Sequence, residues 1–426
     1  MFNFLNLISQ KFFFFLMKFY LHFISHFIIL TNLFFFVKMN SEAFVDKMKS
    51  IQNYLLKFLE DESNAEDKYV NFINILSTQQ IINEEHELKA LLRLINNIGN
   101  NHRRAPYFIF KIERLLRNFK KDIQKYFTNS EIFNIFKDNK RILLFLIEEK
   151  MITIDEYIFS IFTNEDFFQK KYCEYFQPEI KPFLTKENIE KYGRENESLK
   201  DNKFIERMNK EVEEDFYEKR REGENDGYLC QLIRHDKIQE FVTFVVQTNL
   251  SLNSYIKKSI FETNPLLIDS YEINLIQYAS FFGSIKIVNY IAKKTRNVNS
   301  EMWVYSIHSN MAKMIHLLLE DYQIKPNSPK NFLIESIKCH HNEISDYIMV
   351  NLIKEEDLQK DIKNAYYDYF YRYVFECYNY CFFPTENEYE NTFFYLCEYD
   401  YYTLVKLYLA EGYIDINATR IKIPII

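Results

Sequence analysis

The residues whose types and spacing come nearest to chemistry are cysteines and histidines. Cys377 and Cys381 stand four apart, a spacing that lets two thiols share one helix face. A structural zinc site takes four ligands, and no second pair lies near them in sequence, so packing is the expected role of both. Cys339-His340-His341 falls at an expected interhelix turn and is short of ligands by the same count. Glu84-Glu85-His86-Glu87 lacks the second His that a zinc-binding HExxH helix places one turn on. There is no GxSxG elbow, and no Ser or Cys stands in a spacing that pairs it with a His base. Gly99, Gly193, Gly223, Gly227, Gly283 and Gly412 are the only glycines and no two have the spacing that GxGxxG or GxxxxGK[ST] needs, so neither can form. The expectation is therefore no catalytic residue, no cofactor, no metal, and a chain that is not an enzyme.

Charge offers one cluster. Between Arg103 and Lys125 lie eight basic residues and two acids, and Arg114, Arg117, Lys121 and Lys125 share a helix face. Such a face can dock an acidic partner or anionic lipid. It is also what any amphipathic helix shows to water. The whole chain has a net charge of -7, which argues against nucleic acid as a partner. Its 6 Cys follow no disulfide framework and read as reduced thiols, which points to the cytoplasm.

The elements that must carry these residues are helical. The 426 residues are 47% hydrophobic and 27% charged, enough to bury a core. Scarce Gly disfavours all-β folds, whose hairpins consume it. Residues 1–38 stand apart: they contain no acid and long Phe runs, and 19–37 carry no formal charge over about the length that spans a bilayer. Two readings follow, a start of translation at Met39 or a membrane anchor in 19–37. From Ser41 on, Phe44, Met48, Ile51, Leu55 and Phe58 make a helical stripe. Further helices are expected over Glu66–Ser77, through Leu88–Ile98 with Gly99 as the stop, and from Pro106 to about Phe127, with Ser130 capping the next. The charge-dense stretch Lys203–Arg221 reads as an exposed helix or linker.

Register emerges in the C-terminal half. Ile287, Met314, Ile344, Val374 and Leu404 recur at an interval of 27 and then of 30 residues. Each is followed one and four positions on by apolar residues, Ser345 excepted, which is the buried stripe of a short helix. Thirteen residues upstream stand Asn274, Glu301, Asn331, Asp361 and Asn391, four of them good N-cap types. Trp303 aligns with Ile276, Leu333 and Phe393, which assigns it to the core. A capped helix, a turn and a second helix, repeated, describe stacked helical pairs.

These segments resemble ankyrin repeats. Asn274-Leu-Ile-Gln-Tyr-Ala279 is similar to the T-P-L-H-x-A signature, and Gly283-Ser-Ile-Lys-Ile-Val288 to the start of the second helix. Asn310–Glu320 and Tyr401–Gly412 are similar to second helices, and Tyr228–Gln247 to a first half-repeat with an insertion near Asn249–Glu272. With Ser130–Met151, the pattern resembles a large protist family of divergent ankyrin proteins that carry an N-terminal helical domain of unknown function. The interhelix-turn Gly of that signature is matched here by Gly283, Asn310, His340, Phe370 and Asp400.

The resemblance implies an all-α fold, a helical-pair solenoid with ankyrin-like repeats in the C-terminal half. The expected organisation is a leader over 1–38, a helical domain over 39–173, a charged linker or helix over 174–226, repeats over 227–418 and an atypical tail over 419–426. The implied function is a non-enzymatic scaffold whose concave face grips an unidentified protein partner. Loop tips Asn299, Ser300, Asn327 and Ser328 would flank that face, and Arg114, Arg117, Lys121 and Lys125 form the second candidate surface. The alternative is an adaptor tethered to a membrane through 19–37, and no other segment would make the chain membrane-bound.

Overall fold

Helix is the only regular structure among the described residues, and a lone antiparallel bridge joins Tyr255 to Asn274. The structure, a computed structural model, describes residues 41–63, 66–194, 196–353, 366–384 and 389–412. The leader 1–38, the tail 419–426 and Asp361 lie outside them. The chain divides between Ala43 and Phe44, and Phe44–Ile426 is one compact unit with no boundary near 173 or 226. No described helix is long and apolar enough to cross a membrane.

The N-terminal helices are α1 (Ser41–Glu60), α2 (Glu66–Thr78), α3 (Glu85–Asn101), α4 (Phe108–Asn118), α5 (Lys120–Tyr126), α6 (Asn129–Phe136) and α7 (Lys140–Glu148). The Phe44–Phe58 stripe is buried as its spacing predicts. Three expected boundaries move. Gly99 does not stop α3 but sits inside it, where a Cβ would lie 3.0 Å from Ile142 Cδ1, so it serves close packing. Left-handed Tyr107 delays α4 past Pro106. Thr128, not Ser130, caps α6, because its hydroxyl and Glu131 form a reciprocal capping box.

Short helices follow: α8 (Glu156–Phe162), α9 (Glu165–Gln169), α10 (Tyr172–Tyr175), α11 (Gln177–Ile180), α12 (Lys186–Tyr192), α13 (Asn202–Asn209) and α14 (Phe216–Glu222). The exposed helix or linker expected over Lys203–Arg221 is two largely exposed helices, each anchored by a few buried side chains. Phe204, Met208, Phe216 and Arg220 are buried. The Arg220 guanidinium grips both oxygens of Glu179 at 2.7 and 2.9 Å, so a charge that reads as solvated is paired inside.

The remainder is paired helices: α15 (Tyr228–Arg234) with α16 (Ile238–Thr248), then α17 (Pro265–Asp269) in the insertion, α18 (Leu275–Phe281) with α19 (Ile285–Thr295), α20 (Met302–His308) with α21 (Ala312–His316), α22 (Pro329–Lys338) with α23 (Asn342–Asn351), then α24 (Tyr366–Glu376), and α25 (Tyr389–Glu398) with α26 (Tyr402–Glu411). The helices α15, α18, α20, α22, α24 and α25 pack in that order, each on the next. Ile287, Met314 and Leu404 are fully buried on helices, Ile344 is half-buried, and Trp303 is in the core, its Nε1 donating to the Ile324 carbonyl at 3.1 Å.

One turn recurs. Asp236, Gly283, Asn310, His340, Tyr378 and Asp400 all have left-handed φ between 48° and 69°. Each N–H donates to the carbonyl three residues back, over 3.0–3.4 Å. In five of the six turns the next N–H reaches the carbonyl five residues back, which completes a Schellman cap. The fifth block departs from the expected register: its turn residue is Tyr378, whereas Phe370 lies inside α24. Cys377 and Cys381 therefore straddle a turn and do not share a helix face. The upstream caps also fare unevenly. Asn274 caps α18 with Gln277, but Glu301 makes no cap bond, and Asn331 and Asn391 lie within helices.

Candidate functional site

Two buried polar sites and one set of exposed loops emerge from this packing. The first site forms where α1 and α3 cross the turns. Along α3 from its start, His86 stacks on Tyr402 with ring centroids 3.7 Å apart. Lys89 and Arg93 bond the Asp400 carboxylate at 2.6 and 3.1 Å, and Arg93 also reaches the Tyr378 hydroxyl. At the helix end, His102 Nδ1 donates to the Cys339 carbonyl at 2.7 Å and Nε2 meets Glu60 Oε1 at 3.0 Å. From α1, the Gln52 amide donates to Asn379 Oδ1 and its oxygen accepts from Tyr380 N–H, both at 2.8 Å. Asn379 in turn donates to the Ile337 carbonyl at 3.0 Å. The N-terminal helices thus bond the turn segments at His340, Tyr378 and Asp400.

Histidines cluster beneath that crossing. His341 Nδ1 donates to the Ile307 carbonyl at 2.8 Å, and its ring lies 4.5 Å from His102. Burial, followed by the charge of His102, pushes His340 down to about 3 and His341 well below the usual imidazole range. His308 Nε2 meets Glu335 Oε1 at 2.7 Å; although burial opposes it, that bond helps hold the Glu335 carboxyl down at about 2. The ligand atoms of His308, Glu335 and Cys339 lie within 4.8 Å of one another, the one set among the described residues able to hold a metal ion. As they stand, they form a hydrogen-bonded pair beside a thiol that burial keeps protonated, with Lys338 at 3.5 Å from Glu335. His340 and His341 are outside the set, so the local Cys-His-His run is not the donor group.

The second site surrounds Lys140. Asn139 caps α7 by accepting from Ile142 N–H at 2.9 Å, and the apolar run behind it buries the helix on all sides. Lys140 at the first helical position is therefore carried inside. Its ammonium lies 5.2 and 5.5 Å from the ring centroids of Tyr172 and Tyr175. Among the described residues its one hydrogen bond is a long 3.5 Å contact to the Glu262 carbonyl, and it has no ion pair within 4.0 Å. Burial lowers Lys140 to about 7. Glu262 is held by Thr263 and Asn264, whose N–H groups both donate to Oε1 at 2.9 Å, while Oε2 is buried without a partner. Burial and the nearby Glu224 carboxylate raise its carboxyl well above the usual range. Both residues line a cavity of about 120 Å³ together with Lys258, Leu267, Ile268 and Tyr278.

The loops carry the predicted surface residues. Arg296 and Gln323 are left-handed exits thirteen residues after the turns at Gly283 and Asn310. Beyond them, Asn299 and Asn327 are exposed and Ser300 and Ser328 half-buried. Asn299 Oδ1 accepts from Glu301 N–H at 3.0 Å. The basic quartet lies elsewhere, on α4 and α5, which are interrupted at Phe119. Arg114 is clasped by Glu66 at 2.6 Å and lies 3.6 Å from the centre of the Tyr69 ring. Arg117 bonds Glu149 at 2.8 Å, Lys125 donates to the Tyr126 hydroxyl at 3.0 Å, and Lys121 is exposed. Two arginines of this face thus already have acidic partners within the chain. Sequence reasoning missed Tyr255 and Tyr271, which are 58% and 87% exposed on the insertion, and it missed Lys140 and Glu262. A lysine opening an otherwise apolar run was the one signal for Lys140. Comparison with known proteins finds no matching family, no similar curated protein and no similar solved structure.

Proposed function

We propose that the chain is a non-enzymatic protein–protein interaction scaffold, an ankyrin-like stack of helical pairs that binds a partner protein through its connecting loops. The observation that supports this reading is the recurrence of one hydrogen-bonded turn at Asp236, Gly283, Asn310, His340, Tyr378 and Asp400, with each first helix packed on the next. Repetition of that kind presents loops at regular spacing, the property that stacked repeats use for recognition. The turn ends at His340, Tyr378 and Asp400 are engaged by α1 and α3. The loop ends are free to meet a partner: Asn299, Ser300, Asn327 and Ser328, with Tyr255 and Tyr271 as aromatic anchors of the type enriched in binding hot spots.

The test is cross-linked capture with the full chain in its native cell, run beside a Tyr271→Ala/Asn299→Arg variant and an Arg117→Ala control. A partner recovered by the parent and the control, and lost with the loop variant, supports the reading. Equal recovery by all three removes the loops from the interface, and no recovery at all removes the scaffold role.

A further inference from the structure

We infer that the cavity at Lys140 is a binding site for a small carbonyl compound bearing a carboxylate, which Lys140 holds as a Schiff base. The argument begins with unmet chemistry. Two ionisable side chains, 1% and 4% exposed, face one cavity without pairing with each other through their side chains. Buried polar atoms in a folded protein are nearly always satisfied, so Glu262 Oε2 and the Lys140 amine call for something between them. The space is adequate: about 120 Å³ holds roughly four waters, and it is slightly under the ~150 Å³ cavity that accommodates benzene. A ligand of three to six heavy atoms is the class that fits.

The lining selects its charge. Lys140, Lys170, Lys171 and Lys258 stand around the cavity against the single carboxyl of Glu262. Lys170 is offset by Asp166 and Asp269 at 3.4 Å, Lys171 by Glu174 at 3.4 Å, and Lys258 donates to the Ile268 carbonyl at 3.1 Å. Lys258 has no carboxylate partner among the described residues, so its ammonium is left to meet an anion and the Lys140 amine to meet an electrophile. Leu267, Ile268 and Ile273 give the cavity apolar walls, and an imine held against them is shielded on that side from hydrolysis.

The chemistry balances within the site. The neutral Lys140 amine attacks the carbonyl carbon, the C–N bond forms, and the carbonyl oxygen takes the proton shed by nitrogen to give the carbinolamine. Glu262, protonated as burial favours, donates to that hydroxyl; water leaves, the nitrogen lone pair closes the C=N bond, and the nitrogen's remaining proton returns to Glu262. The net change is amine plus aldehyde to imine plus water. At neutral pH about half of Lys140 is in the nucleophilic form, against fewer than ~1 in 1,000 for an ordinary lysine. The two readings share one residue, Tyr271 at the cavity rim, but the labelling below is read on the parent chain and does not depend on the scaffold role.

The experiment exposes the folded full chain to glyoxylate and cyanoborohydride at pH 7 and maps carboxymethylated lysines by peptide mass spectrometry. Lys140 is expected to be labelled at least tenfold faster than the median lysine, and Glu262→Gln to slow that labelling without altering the circular dichroism. A bulky aromatic aldehyde, too large for the cavity, is expected to show no preference for Lys140. Labelling of Lys140 no faster than surface lysines overturns the proposal. So does equal preference with the bulky aldehyde, which would report a reactive amine outside any cavity. The readout is taken on the parent chain, so it does not depend on a lysine variant folding.

Discussion

Replacing His340 with Asn changes how stability depends on pH, and the size of the change follows from the ring's surroundings. His340 is 2% exposed at the left-handed turn. Acting on it are His102 from the end of α3, the Lys338 carbonyl at the end of α22, and the backbone of the turn at Cys377–Tyr378, with His341 next in the chain. Its Nδ1 is 3.2 Å from the Lys338 carbonyl and its Nε2 has no partner. Burial, then the His102 charge, holds it at about 3. The unfolded chain binds a proton at this site near the ordinary 6.5. Below that value the unfolded state carries the extra proton, so stability falls as pH falls from about 6.5 toward 3. The loss attributable to this ring is about 2 kcal/mol at pH 5, with a limiting slope of about 1.4 kcal/mol per pH unit. Asn cannot titrate and tolerates the left-handed backbone. The difference in unfolding free energy between parent and His340→Asn should therefore shift by about 2 kcal/mol between pH 8 and pH 5, against the parent. Urea unfolding followed by the fluorescence of Trp303, the single and fully buried tryptophan, reads it directly. A difference that stays constant across that range would show that His340 is not held neutral and would refute the reasoning.

Glu179→Gln should cost about 3–5 kcal/mol by stranding the buried Arg220 guanidinium, whereas Arg117→Ala should cost less than about 1 kcal/mol because Arg117 and Glu149 are partly exposed; urea midpoints separate the two. Gly283→Ala should cost about 1–2 kcal/mol from its φ of +69°, with a further overlap with Met311, and Gly283→Asn should cost distinctly less, as calorimetry would show. Asn379→Ala should cost about 2–4 kcal/mol, because the Gln52 amide and the Ile337 carbonyl lose their partner inside the protein, and hydrogen exchange in α1 should accelerate.

Periodicity made the helices and most of the repeat register legible. The stripes at Phe44–Phe58 and Ile287–Ile291 are buried as their spacing demands, and the turns at Gly283, Asn310, His340 and Asp400 fall where the alignment puts them. The turn at Tyr378 was hidden because sequence marks a left-handed residue by Gly, Asn or Asp, and a tyrosine there carries no such mark. Charged residues were the systematic failure. Arg220 reads as solvated and Lys140 draws no reading of its own, because nothing local says that Glu179, or a segment 122 residues away at Glu262, will enclose them. The histidine cluster was illegible for the same reason: His102 stands 206 residues before His308 and 239 before His341, and it meets them because α3 ends on the turn of α22 and α23.

That meeting explains why the turns can afford unusual residues. A left-handed backbone at a non-glycine costs about 1–2 kcal/mol, least for Asn and Asp. His340 and Tyr378 bear most of that strain, and both turns are bonded by the N-terminal helices. Gln52 reaches the residues after Tyr378, Arg93 takes its hydroxyl, and His102 takes the carbonyl before His340. Each such bond contributes about 1 kcal/mol when complete and costs more when half-made. The strained turns are thus supported by α1 and α3, and those helices satisfy part of their polar faces against the turns. The N-terminal helices and the C-terminal helical pairs therefore support one another through these bonds.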